Sequence, residues 1–150
     1  MLRFYRSALV VLVGVLIAAS APYAASDSPV GYWETIDDDG KTPTSIVQIF
    51  QEGDTLSGKI LKIMKPGVDP KALCVACTGD LKDKPVVGLR FLWGVKKEGD
   101  DWEGGSILDP DTGKVYKCTL TLEGDKLQVR AFLGMSLFGR TQLWLRSQAP

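Results

Sequence analysis

Two cysteines lie three positions apart in the short polar stretch ALCVACTGD, residues 72–80. This spacing suits thiol–disulfide exchange, metal binding or a local disulfide. A redox C-x-x-C normally sits at the N-terminus of a helix that follows a strand, where the helix dipole lowers the thiol pKa. A structural zinc site takes four Cys or His ligands, but the chain has only three cysteines and no histidine. We therefore favour a disulfide between Cys74 and Cys77, with redox catalysis and zinc as the lesser alternatives.

The third cysteine, Cys118, lies in the segment VYKCTLTL, where it alternates with Tyr116 and Leu120 on one apolar face. A cysteine in such a position behaves as a small buried hydrophobic residue. We expect a free buried thiol, and pairing with Cys74 or Cys77 is the alternative.

The absence of histidine removes the commonest general base and the commonest metal ligand. Ser-His-Asp and Cys-His catalysis are excluded, and no catalytic residue, metal or cofactor is predicted. In the acidic segment DPDTGK, residues 109–114, the alternating Asp109 and Asp111 resemble the first ligands of an EF-hand calcium loop. The twelfth position of that loop would be Leu120 instead of the required glutamate. We interpret the segment as a hairpin turn. Because the chain lacks histidine, we also expect that the protein is not an enzyme.

Residues 1–26 have the pattern of a secretory signal peptide: Arg3 and Arg6, an apolar run over residues 8–19, and then small residues. The apolar run is shorter than the roughly 20 residues needed to span a bilayer. Cleavage after residue 26 is preferred to cleavage after residue 21. We expect a periplasmic or secreted protein with no transmembrane segment after cleavage.

Residues 27–150 are predicted to form one domain, large enough for a hydrophobic core. Removing residues 1–26 takes away two of the 18 basic residues and none of the 18 acidic ones, leaving a net charge of about −2. This balance argues against binding to nucleic acid, which depends on neutralising phosphates.

The domain contains eight short β-rich segments joined by turns rich in Gly and Asp. Sequential hairpins predict an all-β, eight-stranded antiparallel up-and-down barrel, whose interior can hold one small ligand. A β-sandwich is the alternative. One face of the fourth segment is predicted to carry Val87, Leu89, Phe91 and Trp93, and Gly88, Gly94, Gly104 and Gly105 are expected to allow bulges or coiling.

The first strand contains GYW, in which Gly31 and Trp33 resemble the G-x-W motif that opens lipocalins. The last strand, RTQLWLR, ends in Arg146. The resemblance implies that Arg146 lies over the ring of Trp33 and closes one end of the barrel, a contact that contributes about 0.5–2 kcal/mol.

A second resemblance covers nearly the whole mature chain. The order GYW, SIVQIF, LSGKI, CVAC, ILDPDTGKVYKC and LFGRTQLWLR is similar to a bacterial secreted family, domain-of-unknown-function family 2147. Ala131 stands where that pattern has glycine. The family implies a lipocalin-like barrel outside the cytoplasm and supplies no established activity.

The function that we predict is non-covalent binding of a small apolar or amphiphilic molecule inside the barrel. The candidate ligand contacts are Arg90, Trp93, Arg130, Phe132, Phe138 and Arg140. The apolar connection LGMSLFGR, residues 133–140, is expected either to line a ligand portal or to fold inward as a plug, and the plug is favoured. The alternative function is a cell-envelope interaction protein with a filled barrel and no ligand.

Overall fold

The computed structural model describes residues 27–135 and 137–150. They form a closed barrel of eight antiparallel strands, each paired with its neighbours along the chain, and β8 pairs with β1. The strands are β1 Gly31–Ile36, β2 Pro43–Glu52, β3 Thr55–Ile63, β4 Arg90–Glu98, β5 Asp101–Asp109, β6 Lys114–Glu123, β7 Lys126–Phe132 and β8 Gly139–Ser147. The predicted barrel is confirmed and the sandwich is wrong. The predicted signal peptide lies outside the described residues.

Alternation of apolar and polar residues places the core, as β6 and β7 show. Cys118 and Leu120 point inward with Leu127 and Val129, and all four are at most 2% exposed. Cys118 is a free thiol, as predicted. Burial raises the pKa of Cys118 to about 12, because an apolar surrounding disfavours the thiolate.

Strand β4 begins at Arg90, four residues later than the first residue of the predicted segment, Val86. The reason is local hydrogen bonding: the Val86 amide donates to the Ala72 carbonyl at 2.9 Å, and the Leu89 amide donates to the Val86 carbonyl at 3.1 Å. The first bond ties this segment to the preceding residues of the loop, and the second closes a turn within residues 86–89.

The predicted face of β4 is also only partly right. Leu89 and Phe91 are buried, but Val87 is exposed and Trp93 pairs with Ser106 on the outer side. Irregular pairing with β3 changes the alternation, because Leu92 and Val95 are the inward residues opposite Gly58 and Leu56. Gly94 has a φ of 71°, which only glycine adopts without strain. The predicted bulge is therefore present at this glycine.

The longest connection, residues 64–89, is named here the cysteine loop. It contains the predicted disulfide Cys74–Cys77, whose Cα atoms lie 5.3 Å apart, and a short 3₁₀ helix, Gly79–Leu81. Both cysteines are buried, because the loop packs on the turn between β5 and β6. The disulfide is confirmed, and it closes a tight turn within the loop.

The described residues contain no helix of the length and apolar character that would let it cross a membrane.

Candidate functional site

One end of the barrel holds a cavity of about 1240 Å³ that opens to solvent. The cavity lies at the end that carries the β1–β2, β3–β4, β5–β6 and β7–β8 connections, since residues from all four line it. Its volume is above the usual range of about 300–1,000 Å³ for small-molecule pockets. The cavity is therefore large enough for a ligand of that class.

The floor of the cavity is formed by Phe91 on β4 and Trp144 on β8. Their ring centroids lie 5.9 Å apart, so two strands from opposite sides of the barrel make contact across it. Beyond this pair the interior is packed with side chains that do not line the cavity, such as Ile49, Val95 and Leu120. The barrel is thus half filled and half open.

The far end of the barrel is closed around Trp33, which is fully buried. The guanidinium carbon of Arg146 lies 4.1 Å from the centre of the Trp33 ring. Arg146 also donates to the carbonyls of Val30 and Ser28 at 3.0 and 3.1 Å. The indole nitrogen of Trp33 donates to the Pro29 carbonyl at 2.7 Å. These contacts seal the end opposite the cavity.

The wall of the cavity formed by β8, β1 and β2 is polar, apart from Trp144 of β8 and Val47 of β2 at its deep end. Thr35 lies at its centre, and its hydroxyl is 2.6 Å from the Thr44 hydroxyl and 2.7 Å from the Ser45 hydroxyl. Gln142 and Arg140 continue this wall toward the mouth on β8. We call Thr35, Thr44, Ser45, Gln142 and Arg140 the polar wall.

The facing wall, on β3, β4, β5 and β7, is mainly hydrocarbon. Its members are Ile60, Ile63, Phe91, Ile107, Leu108, Val129 and Ala131. We call this set the apolar wall. On β6, Tyr116 brings a phenol ring to the same side.

The mouth of the cavity carries two ion pairs. The Lys65 ammonium lies 3.2 Å from the Asp111 carboxylate, and the Arg140 guanidinium lies 2.5 Å from the Asp38 carboxylate. The hydrogen bond from Lys65 to Asp111 raises the Lys65 pKa, and the charges of Asp111, Asp37 and Asp109 add to this effect. Lys65 therefore stays charged at neutral pH and fastens the cysteine loop to the β5–β6 turn.

The connection between β7 and β8 does not plug the barrel. Leu137 and Phe138 are 73% and 75% exposed, and both line the mouth of the cavity. Across the mouth, Leu73 and Val75 of the cysteine loop are likewise exposed lining residues. The favoured plug prediction is thus wrong for the described residues of this connection, which form part of a portal.

Two of the six predicted ligand contacts, Phe138 and Arg140, line the cavity. Arg130 and Phe132 do not, because Ala131 between them is the inward residue, paired with Cys118 and Arg140. Arg130 instead donates to the Thr141 hydroxyl at 3.0 Å. The prediction that these two residues contact a ligand inside the barrel is corrected by this strand register.

Arg90 and Trp93 do not line the cavity either. Arg90 pairs across the sheet with Lys59 and forms an ion pair with Glu52, and it donates to the Ser57 hydroxyl at 2.9 Å. Trp93 is half-buried and packs against the core, but the irregular pairing of β4 described above pairs it with Ser106 and keeps it out of the cavity lining. Both predictions of ligand contact are therefore corrected.

Sequence reasoning missed Phe91, Thr35, Gln142 and Trp144 as lining residues. Gln142 and Trp144 could have been predicted, because Arg140, Gln142, Trp144 and Arg146 occupy alternate positions on β8. Side chains at alternate positions of a strand point to the same face, so the inward placement of Arg146 predicts that of the others. The same signal marked Thr35, which lies two residues after Trp33 on β1 and so points to the same face.

The segment DPDTGK forms the predicted turn. The Gly113 amide donates to the Asp109 carbonyl at 2.8 Å, and the Thr112 hydroxyl donates to the Asp109 carboxylate at 2.9 Å. Across residues 27–135 and 137–150, no group of three or more Asp, Glu, His or Cys side chains is arranged to hold a metal ion.

Comparison with known proteins agrees with this architecture. The family model described as "Uncharacterized protein conserved in bacteria (DUF2147)" matches residues 31–146. A solved structure described as "Protein HP1028 from the human pathogen Helicobacter pylori belongs to the lipocalin family" is similar, with a TM-score of 0.68 and 18% identity over 79% of this chain and 82% of that chain. At that identity the likeness shows a shared fold. Comparison with curated proteins finds no match.

Proposed function

Since this chain belongs to the bacterial family DUF2147 and folds as a lipocalin-like barrel, we propose that it binds a small apolar or amphiphilic molecule. The ligand occupies the open half of the barrel and is held without a covalent bond. The observation that carries this proposal is the solvent-connected cavity of about 1240 Å³ above the Phe91–Trp144 floor. A lipocalin-like barrel with such a cavity is suited to one small ligand.

The chemistry of the lining supports the same class of ligand. Burial of hydrocarbon against the apolar wall contributes about 25 cal/mol per Å² of apolar surface removed from water. The polar wall, which includes Arg140, provides hydrogen-bond partners for a polar part of the ligand. An amphiphilic molecule satisfies both surfaces.

The compartment and the kind of activity belong to the same proposal. We place the protein in the periplasm or outside the cell, because residues 1–26 have the signal-peptide pattern and a disulfide persists in such compartments. Ligand binding, as opposed to catalysis, is supported by a chain without histidine. The alternative function assumed a filled barrel, and the open cavity counts against it.

Native mass spectrometry of the protein purified from a periplasm without detergent tests the proposal. We expect a stoichiometric adduct that organic extraction removes. The variant Ala131→Phe places a bulky ring in the cavity and should lose the adduct. Its matched control, Leu143→Phe, adds a ring at an exposed position on β8 and should keep it. An apo mass for the parent protein across lipid and metabolite mixtures would contradict ligand binding.

A further inference from the structure

One side of the cavity is polar and the side facing it is hydrocarbon. This difference extends along the depth of the cavity. The polar wall runs along β8, β1 and β2, three strands that are neighbours in the sheet. The apolar wall faces it from β3, β4, β5 and β7. A ligand that fills this space meets hydrogen-bonding groups on one flank and hydrocarbon on the other.

The polar wall is long enough to contact most of a small molecule. Arg140 lies at the rim, and Trp144, four residues further along β8, lies at the floor opposite Thr35 in the register with β1. At about 3.3 Å per residue, these four residues span about 13 Å. Gln142 lies halfway along this distance. Polar groups thus continue from the mouth to the level of Thr35, and Val47 of β2, which pairs with Trp33, lines the cavity below them.

At its deep end, the polar wall has more acceptors than donors. Thr35 shares hydrogen bonds with Thr44 and Ser45 at 2.6 and 2.7 Å. Each hydroxyl has one donor hydrogen and two acceptor lone pairs, so these two bonds use most of the donors and leave several lone pairs. The Thr44 hydroxyl also donates to the Thr35 carbonyl at 3.2 Å. The cluster is therefore suited to accept hydrogen bonds from hydroxyl groups of a ligand.

Gln142 supplies the complementary groups at mid-depth. The indole nitrogen of Trp144 donates to the side-chain oxygen of Gln142 at 3.4 Å, which directs that oxygen toward Trp144. The amide nitrogen of Gln142 then remains as a donor on the cavity side of β8. A ligand hydroxyl can both accept from Gln142 and donate to the hydroxyl cluster.

We propose that the ligand is a facial amphiphile, a rigid molecule with hydroxyl groups along one face and hydrocarbon on the other. Its hydroxylated face lies against Thr35, Ser45 and Gln142, and its hydrocarbon face lies against the apolar wall. A simple alkyl chain is a poorer fit, because it would cover the polar wall without giving it hydrogen-bond partners. This inference rests on the proposed function and specifies the chemical class of the ligand.

Binding of three probes distinguishes the two proposals, with calorimetry below the micelle concentration as the measurement. Cholate carries its hydroxyl groups on one face of a fused-ring skeleton. Lithocholate keeps the skeleton and the carboxylate and lacks most of those hydroxyls, and palmitate is a plain alkyl chain with a carboxylate. We expect cholate to bind at least as tightly as lithocholate. A wholly apolar cavity would bind cholate more than tenfold more weakly, because buried hydroxyls without partners are unfavourable.

The double variant Thr35→Val/Ser45→Ala tests the polar wall directly. We expect cholate binding to weaken about tenfold, which corresponds to the loss of one or two hydrogen bonds. The affinity for lithocholate should stay within about twofold of that of the parent protein. Retained lithocholate binding shows that the variant is folded. Gln142→Leu is an independent second variant with the same expected pattern. Thr121→Val removes a hydroxyl from the outer face of β6 and is the matched control, with no change expected.

Each remaining outcome overturns a defined part of the reasoning. If lithocholate and palmitate bind the parent protein and cholate binds far more weakly, the facial amphiphile is refuted and ligand binding stands. Cholate affinity that is the same in the double variant, in Gln142→Leu and in the parent protein also refutes it. If none of the probes and no cellular adduct binds, ligand binding itself is refuted together with the ligand class.

Discussion

Gly113 in the turn between β5 and β6 offers a sharp test of how the cysteine loop is held on the barrel. Its φ is +69°, and a Cβ atom built on it would lie 1.9 Å from the carbonyl oxygen of Ala76 in that loop. An ordinary contact begins at 3.4 Å, so the loop backbone would have to retreat by about 1.5 Å. The variant Gly113→Ala therefore changes both the local backbone energy and the position of the loop.

Gly124 in the next turn, between β6 and β7, is a matched control. It has a φ of +64°, and nothing lies within 4 Å of its added Cβ atom. A left-handed backbone costs a non-glycine residue about 1–2 kcal/mol, and the reduced freedom of the unfolded chain returns about 0.4–1 kcal/mol of this. We therefore expect Gly124→Ala to lower the free energy of unfolding by about 1 kcal/mol.

For Gly113→Ala the same backbone term applies, and the collision with Ala76 adds about 1–3 kcal/mol, the usual range for an overpacked contact. We expect a total of about 2–4 kcal/mol, measured by urea unfolding followed by tryptophan fluorescence. The displaced loop should also weaken ligand binding in Gly113→Ala only, because its residues Leu73 and Val75 line the cavity. Equal destabilisation of the two variants, within about 0.5 kcal/mol, would refute the contact between loop and turn.

Four further predictions concern the closed end and the cysteines. Arg146→Lys should lower the free energy of unfolding by about 1–3 kcal/mol, because it loses the planar stacking on Trp33 and the paired carbonyl contacts; thermal unfolding measures this, and an unchanged midpoint would contradict it. The double variant Cys74→Ser/Cys77→Ser should lower the free energy of unfolding in urea by about 2 kcal/mol, since the disulfide restricts only a short loop in the unfolded chain. A decrease above about 4 kcal/mol would contradict a role limited to that loop. Cys118 should resist a thiol reagent at pH 8 until the protein unfolds, and rapid modification of the native protein would show that it is not buried. Its pKa is raised in the folded state from 9.0 to about 12, so its contribution to stability is complete below pH 9. That contribution should fall by about 1.4 kcal/mol per pH unit above pH 9, measured as the difference in unfolding free energy from Cys118→Ala.

Much of the fold could be predicted because it depends on local patterns. Turn residues between β-rich segments gave the number of strands, and strict alternation separated the two faces of β6 and β7 without showing which face points inward. Where the alternation is interrupted on β4, between Arg90 and Leu92, the same reasoning placed Trp93 on the wrong side. A single bulge reverses the parity of every residue beyond it.

The candidate site was less predictable, because it depends on which barrel half is filled. Arg130 and Phe132 were placed in the cavity although the face opposite them, with Val129 and Ala131, is the more apolar one. Neither the contact between Phe91 and Trp144 nor the meeting of Thr35 with Thr44 and Ser45 has a local signal. These contacts depend on the strand registers and the closure of the barrel.

By itself, the sequence determined the all-β architecture, the family, the short disulfide and the free thiol. The family follows from a resemblance of sequence segments, and the other three follow from composition, spacing and periodicity, which act over a few residues. Only the tertiary structure decided that the barrel is open at one end, that the 133–138 connection borders its mouth, and that one cavity wall is polar. The physical reason is that a cavity is defined by side chains from strands far apart in the chain, and a register difference of one residue exchanges the inner and outer faces of a strand.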